Sequence, residues 1–171
     1  MTALKTEASV ARVRSWPVWL STAGRLVLGA VWLAAGLTKI TDLDASVRAV
    51  RAYRLLPEAV AQVLGPSLPL LEVLLGVLLL VGLGVRACAL VSSVLMVAYM
   101  TAIASAWARG LRIDCGCFGS GGDLAAGASP TYGTELLRDS ALLLVALLVA
   151  RWPLGRFAID GLLSGGRKER A

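Results

Sequence analysis

The sequence predicts an all-α integral membrane protein: a four-transmembrane-helix bundle with an amphipathic outer-loop helix. Three observations predict it. Of 171 residues, 57% are hydrophobic, above the roughly 45–50% usual for soluble domains with glycine counted; the mean hydropathy is +0.76. The apolar residues come in runs, and runs of about 20 cross a bilayer. The charges gather between the runs and in the tails. One membrane domain, residues 1–171, accounts for the whole chain.

The first span is expected over about 19–38. Its stretch from Leu26 to Leu37 holds no charge, and Arg25, one turn earlier, can snorkel to the interface. A signal peptide fits less well, because the tail before the apolar run is longer than a usual n-region. An outer loop, 39–67, follows. Within it, TDLDASVRAVRAYRLLP repeats Arg48, Arg51 and Arg54 at every third position among Val47, Val50 and Leu55. That pattern predicts an amphipathic helix on the membrane surface, in contact with lipid and ended by Pro57. The second span is expected over about 68–85, with Glu72 as its one charge about a turn inside the outer end. The third, about 87–107, starts straight after Arg86, so the two form a tight hairpin.

A second outer loop, 108–133, ends in a Gly-, Ser- and Ala-rich part, Gly119 to Gly133, that reads as irregular and mobile. The fourth span is expected over about 134–150. Its apolar core, Ala141 to Ala150, is half a bilayer long, so the crossing must include Glu135, Arg138 and Asp139. Ionisable residues in such a place mark a functional site by default.

Four spans put both termini on one face. That face, with the Arg86 turn, carries nine basic residues against seven on the other, which makes it cytoplasmic. The expected location is the cell membrane, multi-pass, with both termini inside and the two long loops outside. Trp16, Trp19, Trp107 and Trp152 lie at span ends, as an aromatic belt requires. The net charge of +6 is scattered, so no nucleic-acid partner is expected. The absence of histidine excludes histidine-ligated haem, and no dinucleotide or phosphate-loop motif occurs. Glycines 29, 36, 76, 82 and 84 allow close helix packing and leave the oligomeric state open.

The chemistry concentrates in DCGCFG, Asp114 to Gly119. Cys115 and Cys117 are the candidate catalytic pair, and Gly116, Phe118 and Gly119 set the loop geometry. A disulfide across one residue closes almost no chain, so it adds little stability. Such small rings are strained, and strained disulfides tend to be the labile, catalytic ones. Arg109 and Arg112 upstream favour a thiolate, while Asp114 opposes them. Cys88 falls about 40 Å away along a helix and reads as a small buried residue. Metal is the rival chemistry: two thiolates suit a soft ion such as Cu(I), but structural zinc wants four ligands. No metal site is assigned within the chain.

Beneath the loop, Lys39, Glu72, Glu135, Arg138 and Asp139 form a supporting polar cluster. Glu135 stands on one helix face with Arg138 and Asp139, and Lys39 and Arg138 are the candidate partners of Glu72. The cluster reads either as an ion-pair network that fixes the bundle, or as a proton relay or anchor for a quinone head group. The sequence reveals no pocket for one.

Several motifs in order carry a resemblance: GLTK at 36–39, YRLLP at 53–57, LPLLE at 68–72 with Gly76, CGCFG at 115–119 and LLRD at 136–139. Together they resemble the MauE (methylamine utilisation) family, within the DoxX-like group of small four-span membrane proteins. The resemblance implies a bundle related to vitamin K epoxide reductase. It also implies a role in forming disulfides in an exported client, with a thioredoxin-like partner. The client in the methylamine system is a dehydrogenase subunit dense in disulfides. The expected function is therefore a membrane thiol–disulfide oxidoreductase component, with a membrane quinone as candidate cofactor by fold-level analogy. Two alternatives stand beside it: a non-catalytic docking subunit for a thioredoxin-like protein, and a metal or small-solute carrier.

Overall fold

The computed structural model describes residues 2–116, 121–125 and 127–153, with side chains from residue 18 onward. The elements in chain order are α1 (Thr2–Ile40), α2 (Leu43–Ala52), α3 (Glu58–Val81), α4 (Val85–Ala108), β1 (Ile113–Asp114), β2 (Gly122–Asp123) and α5 (Tyr132–Arg151). The chain is predominantly helical. Among the described residues, three segments are long and apolar enough to cross a membrane: Val18–Ile40 of α1, all of α3 and all of α4.

The long helices pack around Leu28, Trp32, Leu75, Leu79, Val85, Met96 and Val149. Two polar groups are absorbed without cost to this core. Trp32 Nε1 donates to Ser92 Oγ at 2.9 Å, and that hydroxyl donates to the Cys88 carbonyl at 2.8 Å. Cys88 is buried there, as expected of a small apolar residue.

The glycines of α1 and α3 act within the chain. A Cβ at Gly76 would lie 2.7 Å from the Leu33 amide nitrogen, and one at Gly36 would lie 2.8 Å from the Pro69 carbonyl oxygen. The two backbones therefore touch, which only small residues permit. Gly82 (φ 80°) ends α3 and Gly84 (φ 60°) precedes α4, both in the left-handed region. They make a tight turn at residues 82–84, slightly before the expected position, and Arg86 lies in the first turn of α4.

Three expectations shift. First, α3 begins at Glu58, ten residues before the expected span start, and runs on through Pro66 and Pro69. Glu72 is consequently fourteen residues, about 21 Å, from the start of α3; it is deep in the helix, not one turn from its end. Second, α2 stops at Ala52, and Arg54 adopts φ 52° outside it. Only Arg48 and Arg51 share the helix. Third, the Gly-rich loop is partly ordered: β1 and β2 pair antiparallel, Ile113 opposite Asp123 and Asp114 opposite Gly122.

Candidate functional site

The site starts at the end of α4. Gly110 takes φ 65°, its N–H donates to the Trp107 carbonyl, and Leu111 N–H reaches back to the Ala106 carbonyl at 3.0 Å. This is the Schellman arrangement that a glycine after the helix end favours. It turns the chain back over the bundle. Tyr132, at the start of α5, then clamps the strand: its hydroxyl donates to the Leu111 carbonyl at 2.6 Å and accepts from Ile113 N–H at 3.1 Å. Ile113 is 1% exposed and anchors β1 in a second small core with Ala52, Ile103 and Ala106.

Cys115 follows directly and is half-buried. Asp114 Oδ1 accepts from Gly116 N–H at 2.9 Å, closing a turn around the cysteine. Tyr53 Oη donates to the Cys115 carbonyl at 3.2 Å. Gly116 has φ 69°, and a Cβ there would meet Gly121 Cα at 3.1 Å and Ala49 Cβ at 3.2 Å. Both its backbone angle and its neighbours require glycine. The alanine of α2 gives the hairpin room to approach. Cys117, Phe118 and Gly119 lie outside the described residues.

Arg109 and Arg112 hold backbone here. Arg109 donates to the carbonyls of Ser105 and Tyr53, and Arg112 to that of Ala128. The groups brought to the thiol are carboxylates: donor atoms of Asp114, Cys115 and Glu135 all lie within 4.8 Å of one another. Glu135 is buried; its Oε1 accepts from Thr131 Oγ1 at 3.0 Å, while Oε2 has no hydrogen bond among the described residues.

On its other side Cys115 borders a cavity of about 330 Å³, within the usual range for small-molecule sites. Its walls come from α2, α3 and α4 and are apolar, including Val50, Leu64 and Leu68. Lys39 and Tyr99 also line it. Lys39 Nζ bonds both oxygens of Glu72, at 2.8 and 2.9 Å, and Tyr99 Oη donates to Oε1 at 2.9 Å. Glu72 is 1% exposed, and this ion pair is what makes its burial tolerable. Arg138, the other candidate partner, pairs with Asp139 at 2.8 Å. A small cavity of about 20 Å³ separates Arg138 and Asp139 from Glu72 and Tyr99, enough for one water.

Sequence reasoning missed the cavity, Tyr99 and Tyr132. The signal for the tyrosines was present: a tyrosine hydroxyl buried in an apolar region finds a hydrogen-bond partner. The sequence did not reveal which partner.

The family model described as "Methylamine utilisation protein MauE" matches residues 17–152. The "Methylamine utilization protein MauE" of Paracoccus denitrificans is 30% identical over 127 residues, which cover 74% of this chain and 66% of that protein. The chain thus spans just under two thirds of the curated relative it matches. No solved structure matches.

Proposed function

The chain belongs to the MauE family, and from that premise we propose that it is a membrane thiol–disulfide oxidoreductase component. Cys115 and Cys117 cycle between disulfide and dithiol on the outer face of the cell membrane. Their partner is a thioredoxin-like protein, and the beneficiary is an exported protein whose disulfides must form, as methylamine utilisation would require. The observation that supports this best is the position of Cys115. It stands at the wall of a largely apolar cavity whose lining includes the polar residues Lys39, Ser46, Tyr53 and Tyr99.

In the exchange, a thiolate of the partner attacks one sulfur of the Cys115–Cys117 disulfide. A mixed disulfide forms and the other sulfur of the pair leaves as a thiolate. The partner's second thiol then attacks the mixed disulfide. The partner ends as a disulfide and the pair as a dithiol, two electrons having moved. The cavity fits a quinone head group, with Tyr99 and Lys39 as the polar residues that would hold it. A bound quinone would accept two electrons and two protons. Asp139 and Glu72, either side of the small cavity, would carry protons toward that site.

We further read α5 as a fourth span. Its 20 residues reach about 30 Å, a bilayer's hydrocarbon thickness. Its charges lower its mean hydropathy, but Glu135 and Asp139 are buried inward while Leu137 and Leu144 face outward, 73% and 63% exposed. The lipid-facing surface is apolar. Helix α2 lies on the membrane surface with Arg48 and Arg51 exposed.

Thiol trapping in intact cells tests the proposal. A membrane-impermeant maleimide should label Cys115 and Cys117 only after mild reduction, and Cys117→Ser should accumulate a mixed disulfide through Cys115. Labelling only after the membrane is broken would invert the topology. Loss of both cysteines without effect on client disulfides would favour the docking subunit.

A further inference from the structure

Glu135 is a buried carboxylate close to the Cys115 sulfur. It is nine-tenths buried. One oxygen takes the Thr131 hydroxyl; the other, Oε2, has no hydrogen bond among the described residues. Unsatisfied buried oxygens are rare in folded proteins and ask for an explanation. Nothing about packing α5 requires a carboxylate here, since Thr131 would bond an amide oxygen equally well. What the position offers is proximity: a carboxylate oxygen of Glu135 lies within 4.8 Å of Cys115 Sγ. That proximity puts a carboxylate oxygen within reach of the thiol, directly or through one water, as proton transfer requires. Asp114 is also within 4.8 Å, but it is exposed and its Oδ1 is committed to the Gly116 amide.

We infer that Glu135 is the proton acceptor and donor for Cys115 during thiol–disulfide exchange. The inference rests on the reading of Cys115 as a redox thiol. When Cys115 is the attacking thiol, its S–H proton passes to the Glu135 carboxylate. The Cys115 sulfur bonds to one sulfur of the partner's disulfide, that S–S bond breaks, and the departing thiolate takes up a proton. When Cys115 is the leaving group, the protonated acid returns the proton to its thiolate. One carboxyl group thus serves both directions.

Among the described residues, Asp114 comes to the pair from β1, Tyr53 donates to the Cys115 carbonyl from the turn after α2, and Thr131 donates to Glu135. Lys39 lines the cavity that Cys115 borders, and Arg138 and Asp139 follow Glu135 one turn along α5. Among the carboxylates, those of Asp114 and Glu135 cluster with the sulfur.

The test uses the full-length purified protein with Cys88→Ser and Cys117→Ser, so that Cys115 is the single thiol. Its alkylation rate by iodoacetamide is followed from acid to alkaline pH. Two interacting acids give two steps in such a profile. The parent should show two, Glu135→Gln one, and Glu135→Asp two again. Asp114→Asn, which keeps the Oδ1 acceptor, should leave both steps. A Glu135→Gln profile superimposable on the parent overturns the inference, as does loss of the second step in Asp114→Asn alone. If Glu135→Gln does not fold, Thr131→Val replaces it: removing the hydroxyl from Oε1 must displace one step, and an unmoved profile overturns the inference equally. The assay needs no partner. A two-step profile with no trapped partner in cells would sink the redox reading and leave the acid–base pair; the opposite combination would do the reverse.

Discussion

Lys39, Glu72 and Tyr99 show what a single side chain decides in this protein. Glu72 is almost fully buried among apolar helices, held by one ammonium and one hydroxyl. Removing one member of a buried ion pair leaves a charge with no compensation, at a cost of about 3–5 kcal/mol. Lys39→Met should therefore destabilise the detergent-solubilised protein by about that much, read as a lowered midpoint of thermal unfolding. Lys39→Met with Glu72→Leu should cost less than Lys39→Met alone, because replacing both charges removes the stranded one. Tyr99→Phe should cost less than Lys39→Met, about 1.5–3 kcal/mol for a hydrogen bond to a charged group. The sequence flagged Lys39 and Glu72, since charges at or inside apolar runs are conspicuous. It left Arg138 as an equal candidate for Glu72. Arg138 instead meets its own neighbour, Asp139, a choice made by where α5 lies against α4 and α1.

At the scale of elements, the α1–α3 seam and the hairpin over α4 carry the architecture. Gly36 and Gly76 let two helix backbones touch. Gly76→Val should force the helices apart, with a cost of about 1–3 kcal/mol typical of overpacking, and should lower the unfolding midpoint. The hairpin depends on Tyr132, whose hydroxyl bonds two backbone groups of one short strand. Tyr132→Phe should leave Ile113 N–H without that acceptor. Faster hydrogen exchange at Ile113 checks this, and the hairpin is expected to loosen around Cys115. Periodicity and apolar run length made the helices legible. They misplaced the start of α3, because the run from Glu58 to Ser67 is less apolar than the stretch that follows and reads as loop until its packing is in view. The strand pair was not legible at all: two residues per strand in a Gly-rich segment carry no alternation to read.

For the whole molecule, the proposed fourth span makes a testable claim about sides. Cysteines introduced at Leu83, Trp152 and Asp123 report on the α3–α4 turn, the end of α5 and the hairpin. With α5 crossing the membrane, positions 83 and 152 should label from one side and 123 from the other. Labelling of 152 together with 123 would mean that α5 does not cross. The outward leucines of α5 and its inward carboxylates are the reason to expect a crossing that average hydropathy understates.

The sequence by itself determined that this is a helical membrane protein, that its polar residues concentrate toward one end of the bundle, and that a CxC motif sits in a glycine-rich loop there. Those properties are local: run length, charge position and residue spacing are written along the chain. Tertiary structure decided the rest. It brought Glu135 from α5 beside Cys115 from the hairpin, and it opened a cavity from Cys115 to Lys39 between helices far apart in sequence. It also chose Lys39 over Arg138 for Glu72. Each of these depends on how helices cross and rotate about their axes. In this bundle, close backbone contact at a few glycines and the clamp of one tyrosine hydroxyl fix those crossings, and neither could be computed from the pattern of a single segment.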